Sequence, residues 1–365
     1  MEEKAIWFCE PSSADNTFRR HGERTFDWLA RSTTERAVAV RRFLNVNIAQ
    51  VPSSCRDRLY EAFRSKDWDA TLFELFVARA LQLLGASIEV EVALEATGRK
   101  PDFLAHFPDL SVIVEATVRE TNSDLRRQID QNEALIGIIE ALVPDGWSVA
   151  VWRLPKLGPS DSKQPFKQAI QRLFAAHAGS QTQSGRVDIS EEYDSGEISM
   201  TIFQGPTGVI TRGVASSWDD TEYRIPQAFR GKKKQVRKAS LPVVLALTTW
   251  SMGDDLGDFD RALFGKTYER VGFFGETLET GFTADGLFSK KRAEPPTYAA
   301  ALVFPRIAFR DVPDPILYLN SRFDGSLPKA LTELQVRMYQ EEGVGIRQAR
   351  SERILERMQF VSSDV

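Results

Sequence analysis

Two carboxylates, Asp102 and Glu115, lie on neighbouring predicted strands and are the residues of this chain best suited to chemistry. Both strands are otherwise apolar, so the two side chains would repel each other and would resist transfer out of water. Such a pair is costly unless a cation lies between the two carboxylates. A hard divalent ion prefers oxygen ligands, so the pair predicts a site for such an ion.

A predicted β-hairpin places these two acids opposite each other. The runs around Asp102 and Glu115 are short and rich in apolar, β-branched and aromatic residues, and Pro108-Asp109 between them is typical of a turn. If the turn is centred there, the numbers of facing residues sum to 217 (108 + 109). Asp102 then faces Glu115, and Lys100 faces Thr117, with Cβ atoms about 4.5–5.5 Å apart.

A third carboxylate, Glu74, lies in the middle of a predicted helix that begins at Trp68 and ends near Gly85. Apolar residues cover nearly the whole circumference of this helix, which predicts that it is largely buried. One interpretation places Glu74 on a narrow solvated stripe with Arg79 and Gln82. The other places Glu74 beside the hairpin, where it would complete the set of metal ligands directly or through water.

The order of these features resembles the PD-(D/E)XK nuclease superfamily, whose core is an acidic helix followed by a hairpin with Pro-Asp and (Asp/Glu)-x-Lys motifs. The matching residues here are Glu74, Pro101-Asp102 and Glu115-Ala116-Thr117. The resemblance implies a Mg²⁺-dependent phosphodiesterase in restriction, phage defence or DNA repair. It implies Asp102, Glu115 and Glu74 as metal ligands and nucleic acid, with DNA in first place, as the partner. It leaves a homodimer or a partner protein open.

The chain departs from the family pattern at Thr117, which stands where the family has its catalytic lysine. A hydroxyl group supplies no positive charge, so the site needs a lysine from elsewhere. One predicted source is Lys100, opposite Thr117 in the hairpin. The other is a predicted basic helix ahead of the strand at residues 241–247, whose members we also expect to bind nucleic acid. These residues are Lys232, Lys233, Lys234 and Arg237.

The predicted fold class is α/β, with a restriction-endonuclease-like mixed sheet flanked by helices, an N-terminal helical region and a β-rich insertion. We expect the N-terminal helical region at residues 1–64, the nuclease-like core at 65–325 and a C-terminal helical tail at 326–365. The insertion is expected at about 155–224. Its strands either extend the main sheet or form a separate part.

Composition limits the remaining classes of protein. The formal net charge is −4, so any nucleic-acid surface must be local. The two cysteines, Cys9 and Cys55, have no paired spacing, which speaks against a disulfide scaffold or a structural zinc site. The sequence has no apolar run of the roughly 20 residues that a membrane helix needs, and we expect a cytoplasmic protein without membrane contact.

Three interpretations follow. The first is a metal-dependent nuclease. The second is a protein that kept the nuclease fold, lost catalysis and binds nucleic acid or assembles with partners. The third is an α/β protein whose acids are incidental, with Asp102 capping a turn and Glu115 paired to Lys100 or Arg119. A lysine within reach of the acids separates the first two, and convergence of Glu74, Asp102 and Glu115 separates both from the third.

Overall fold

The computed structural model shows a mixed α/β protein, as predicted. It describes residues 7–11, 13–17, 19–65, 68–94, 98–118, 123–158, 161–177, 186–193, 196–204, 208–211, 225, 229, 232–233, 236, 239–248, 256–271, 277–289, 296–305, 307, 309, 312–340, 343–349 and 353–358. Two compact units are present. The first comprises Met1–Pro11, Glu35–Glu120 and Trp218–Val365, and the second comprises Ser12–Thr34 and Thr121–Ser217.

In the described part of the chain, four helices precede the first strand, and strands interspersed with helices follow. The α-helices are α1 (Thr25–Arg31), α2 (Glu35–Ile48), α3 (Ser53–Arg64), α4 (Trp68–Leu83), α5 (Ser123–Glu140), α6 (Gln164–His177), α7 (Leu256–Phe264) and α8 (Lys329–Thr332), and Leu355–Arg357 form a 3-10 turn. The strands are β1 (Ser87–Val90), β2 (Phe103–His106), β3 (Ser111–Val118), β4 (Trp147–Arg153), β5 (Arg186–Tyr193), β6 (Gly196–Gln204), β7 (Gly208–Thr211), β8 (Val243–Thr248), β9 (Thr267–Val271), β10 (Thr277–Phe282), β11 (Ala300–Phe304), β12 (Ile316–Leu319), β13 (Val336–Gln340) and β14 (Gly343–Arg347).

An eight-stranded sheet forms the first unit, in the order β1-β2-β3-β8-β11-β12-β13-β14. β3, β8 and β11 run parallel to one another, and the hairpin β2-β3 is antiparallel. Every residue of β8 and β11 is buried. Continuous apolar runs of this kind are typical of parallel strands that are covered on both faces.

Helices cover the two faces of this sheet. On one face, Phe73 of α4 packs edge-on against Phe304 of β11, with ring centroids 5.2 Å apart. On the other face, Phe264 of α7 belongs to a buried cluster that includes Leu245 of β8 and Ile113 of β3. The predicted buried helix around Glu74 and the predicted central strands are therefore present. Among the described residues, no helix is both long enough and apolar enough to cross a lipid bilayer.

The predicted hairpin register is confirmed. Phe103 faces Val114 and His106 faces Ser111, so the numbers of facing residues sum to 217. The backbone N–H of Phe107 donates to the carbonyl of Leu110 at 3.1 Å and closes the turn. Because side chains alternate along a strand, this register fixes which residues of β3 share a face.

The prediction of a C-terminal helical tail at residues 326–365 is wrong. α8 is a single turn, and β13 and β14 form an antiparallel hairpin that joins the main sheet beside β12. Long charged side chains in this segment favour a helix, but Val336, Val344 and Ile346 favour strands, the glycines of β14 disfavour a helix, and β13 pairs with β12.

The second unit contains its own four-stranded sheet, in the order β5-β6-β4-β7, with α5 and α6 packed on a separate core. The predicted insertion at 155–224 therefore starts too late, since α5 and β4 already belong to this unit. The strands do not extend the main sheet. The predicted helical region at 1–64 is also divided, because Ser12–Thr34 belongs to the second unit.

A buried ion pair between α7 and β13 tests this fold. Arg337 is 11% exposed, its Nε lies 2.8 Å from Asp260 Oδ1, and its guanidinium group lies over the ring of Tyr318. Replacing Asp260 by Ala leaves a buried charge without its partner, so we expect a loss of about 2 kcal/mol in the free energy of unfolding. Urea denaturation measures this free energy of unfolding.

Glu61→Ala, at an exposed position of α3, is the control and should change the free energy of unfolding by less than about 0.5 kcal/mol. Equal effects of the two substitutions would contradict the ion pair between α7 and the C-terminal hairpin.

Candidate active site

Asp102 lies where the hairpin ladder of β2 and β3 ends. Pro101 precedes it and has no backbone N–H, so the regular pattern of hydrogen bonds stops there. The carboxylate of Asp102 takes over as acceptor, and the backbone N–H of Ala116 donates to its Oδ2 at 2.7 Å. This contact ties the side chain of Asp102 to β3 next to Glu115.

Glu115 lies in the centre of β3 and its side chain is fully buried. It faces Leu245 of β8 and shares the face of Ile113, so it points to the side of the sheet that α7 covers. Within the described part of the chain, neither of its carboxylate oxygens has a hydrogen-bond partner of good geometry. A buried carboxylate in this state needs a nearby positive charge.

Lys232 supplies that charge from a helical segment. Ile225, Phe229 and Val236 are helical and buried in the cluster on the α7 side of the sheet. Lys232 follows Phe229 by three positions and precedes Val236 by four, so all four residues share one helix face. A lysine therefore occupies one position of an apolar stripe that packs against the sheet.

The ammonium group of Lys232 bridges the two acids. Its Nζ lies 2.8 Å from Asp102 Oδ2 and 3.0 Å from Glu115 Oε2. The Lys232 side chain is 23% exposed and that of Asp102 is 14% exposed, so water screens these contacts only partly. One positive charge thus offsets two negative charges in a largely buried place.

Burial and these neighbouring charges shift the pKa values of Glu115 and of the residues around it. Burial, followed by the nearby charge of Asp102, raises the pKa of Glu115 from 4.5 to about 8, although Lys232 opposes the rise. Burial alone would lower the pKa of Lys232, but the charges of Asp102 and Glu115 outweigh it and raise that pKa. Burial and the charge of Glu115 also raise the pKa of Tyr298, whose hydroxyl donates to the carbonyl of Phe229 at 2.8 Å.

Glu74 forms a second ion pair beside this one. The guanidinium group of Arg58 in α3 binds the carboxylate of Glu74 in α4, and its Nη1 also lies 3.4 Å from Glu91. Burial is the main cause that raises the pKa of Glu74 to about 7; Arg58 opposes the rise and Asp102 adds to it. Glu74 is therefore close enough to Asp102 for the two charges to interact, while its direct partner is Arg58.

The whole group of interacting charges is negative. Its members are Glu74, Glu91, Asp102, Glu115, Arg58 and Lys232. Once the pH exceeds the raised pKa of Glu115, about 8, all six are ionised, and four negative charges against two positive charges leave two negative charges. A site with this balance favours an additional cation, and a divalent cation would neutralise it.

The structure does not place all predicted site residues at the acids. Lys100 is exposed and precedes the first paired residue of β2. Thr117 is half-buried in β3 and faces Leu247 of β8. Lys233 is helical and half-buried beside Lys232, whereas Lys234, Arg237 and the alternative partner Arg119 lie outside the described residues.

One choice was left open from the sequence, and one residue was missed. The sequence distinguishes Lys232 from the neighbouring lysines, because the spacing of Ile225, Phe229 and Val236 marks the buried helix face on which Lys232 lies. Arg58 was not predicted at all. Its only signal is its position three residues after Cys55, next to the buried face of α3, and that signal does not identify Glu74 as its partner.

The donor set fits a divalent ion held by two carboxylates rather than by a complete protein cage. Among the described residues, no group of three or more histidine, cysteine or acidic side chains could hold a metal ion. Mg²⁺ is commonly bound by one or two carboxylates together with waters and substrate phosphates. The buried oxygens of Glu115, which lack hydrogen bonds of good geometry within the described chain, suit that arrangement together with Asp102.

The raised pKa of Glu115 predicts how stability depends on pH. The unfolded chain loses this proton near pH 4.5 and the folded chain near pH 8, so the charge increasingly disfavours folding between these values. Glu115→Gln removes the charge. We therefore expect Glu115→Gln to melt within about 1 °C of the parent at pH 5 and at least about 2 °C above it at pH 8.

Glu61→Gln is the matched control because Glu61 is 75% exposed on α3. Its melting temperature, measured by circular dichroism, should differ from that of the parent by the same amount at both pH values. A Glu115→Gln variant whose advantage does not grow with pH would show that Glu115 carries no charge penalty.

Comparisons of this chain with protein-family models, with curated proteins and with solved structures found no match. The geometry and charge of the site therefore carry the functional inference by themselves.

Proposed function

We propose that this protein is a metal-dependent nuclease of the restriction-endonuclease-like class, which hydrolyses phosphodiester bonds in DNA or RNA. One observation carries the proposal: Asp102 and Glu115 meet in a largely buried place, and Lys232 reaches both of them. Lys232 thus brings to the acids the positive charge that Thr117 cannot supply. Glu74 contributes its charge near Asp102, while its carboxylate is bound by Arg58.

Asp102 and Glu115 would hold the divalent ion, Mg²⁺ or Mn²⁺. When bound, such an ion acidifies a water molecule and offsets the negative charge that develops on the phosphoryl group. The hydrogen bond from Ala116 fixes the carboxylate of Asp102, and burial in β3 fixes that of Glu115. Two rigidly held carboxylates of this kind lose little freedom when they bind an ion.

Lys232 and Glu74 have distinct roles in this proposal. The ammonium group of Lys232 orients the attacking water by hydrogen bonding and stabilises negative charge on the phosphoryl oxygens. Arg58 binds the carboxylate of Glu74 and partly offsets the rise in its pKa that burial causes. Glu74 then adds negative charge that strengthens cation binding at Asp102. The mechanism requires no covalent nucleophile.

A second candidate is a protein of the same fold that binds nucleic acid without cleaving it. The observation that favours this candidate is the same ion pair, because Lys232 compensates both acids without a metal ion. A cleavage assay with DNA and RNA separates the two candidates, since the second predicts binding without products at any concentration of Mg²⁺ or Mn²⁺.

The nuclease proposal predicts the effect of neutralising the acids. We expect Asp102→Asn and Glu115→Gln each to lower the rate of cleavage by at least about 100-fold, because each removes charge that binds the metal. The rate is measured by cleavage of labelled DNA and RNA in the presence of Mg²⁺ or Mn²⁺. Glu61→Gln should cleave at the parental rate. Parental activity in either site variant would end the proposal.

A relocated lysine provides an independent test. Thr117 lies two residues after Glu115 on the same face of β3, so a lysine there points toward the acids. We expect Lys232→Met to abolish cleavage and the double variant Lys232→Met with Thr117→Lys to recover part of the rate. Lys232→Met with Ser65→Lys, at an exposed position after α3, serves as the control and should stay inactive. Full activity of Lys232→Met alone would remove Lys232 from the mechanism.

A further inference from the structure

Lys232 lies at the position between the two acids that a divalent ion would need. Its Nζ is within 3.0 Å of one oxygen from each carboxylate. An ammonium group and a divalent ion repel each other strongly at such separations, because the surroundings screen them poorly. The ammonium group and the metal therefore cannot both keep these contacts.

We propose that Lys232 is a built-in competitor for the divalent ion, and that metal binding displaces its ammonium group from Asp102 and Glu115. This inference rests on the proposed metal-dependent function and adds a means of regulating that site. Before metal binding, the lysine neutralises part of the acidic pair. After metal binding, the same ammonium group is released to face the substrate.

The lysine, rather than the acids, is the part that can move. Asp102 is tied to β3 through Ala116, and Glu115 lies in a strand with neighbours on both sides. Lys232 has a flexible side chain of four methylene groups, and 23% of that side chain is exposed. Displacement thus needs a change of side-chain rotamer and leaves the sheet as it is.

Among the described residues of this group, the other cation, Arg58, has its ion pairs with acids other than Asp102 and Glu115. Arg58 binds Glu74 and also approaches Glu91, which already places it between two carboxylates. Within the described part of the site, the carboxylates of Asp102 and Glu115 then become available to the incoming ion. Loading of the metal and release of Lys232 are therefore one coupled event.

Direct measurement of Mn²⁺ binding to the full chain tests the inference. We expect Lys232→Met to bind Mn²⁺ about tenfold more tightly than the parent by isothermal titration calorimetry, because the competitor is gone. Lys329→Met removes one exposed lysine from α8 and controls for the change in net charge. It should bind Mn²⁺ as the parent does.

The outcomes separate the inference from the proposed function. Equal or weaker binding by Lys232→Met, with Mn²⁺ bound by all three proteins, overturns the competitor role and leaves the metal site intact. Absence of Mn²⁺ binding from all three proteins at millimolar concentration overturns the metal-dependent function together with the inference. Tighter binding by both lysine variants also overturns the inference, since net charge then explains the gain.

A measurement on the unmodified protein covers the case in which Lys232→Met does not fold. Reductive methylation followed by mass spectrometry reports how readily each lysine reacts. We expect saturating Mn²⁺ to raise the rate at Lys232 several-fold relative to Lys329, because displacement frees the ammonium group from the two acids. An unchanged or lower relative rate at Lys232, with Mn²⁺ bound, overturns the inference.

Discussion

The structure around this site depends on one ammonium group that is shared by two carboxylates. A buried carboxylate is unstable without a partner, and two that face each other are worse, since each disfavours ionisation of the other. Lys232 offsets only one of the two negative charges that the pair carries when ionised, and the pKa of Glu115 stays raised to about 8. Groups whose pKa is shifted this far by burial and a charged neighbour are often found at functional sites.

The surrounding fold serves to bring these three side chains together. The parallel pairing of β3 with β8 buries Glu115, and the end of the hairpin ladder at Pro101 leaves Asp102 free to bind the backbone of β3. The helical segment through Phe229 and Val236 packs on the same face and carries Lys232 to the acids. Lys232 is far from both acids in the sequence, so the site exists only in the folded chain.

The hairpin was predictable because its signals are local. Turn residues at Pro108-Asp109 and alternation along two short strands fix the register, and the register alone makes Asp102 and Glu115 neighbours. Local signals do not identify the lysine that binds the acids. Its identity depends on which residues of a helical segment far along the chain face the sheet. The hairpin β13-β14 was missed for a related reason, because its pairing with β12 is a long-range contact.

A double-mutant cycle at Lys232 and Glu115 tests the shared ion pair most directly. The free energies of unfolding of the parent, Lys232→Met, Glu115→Gln and the double variant are measured at pH 8 by urea denaturation. We predict that Lys232→Met destabilises the protein in the presence of Glu115 and does so by at least about 1 kcal/mol less once Glu115 is Gln. Additive effects of the two substitutions would contradict the account.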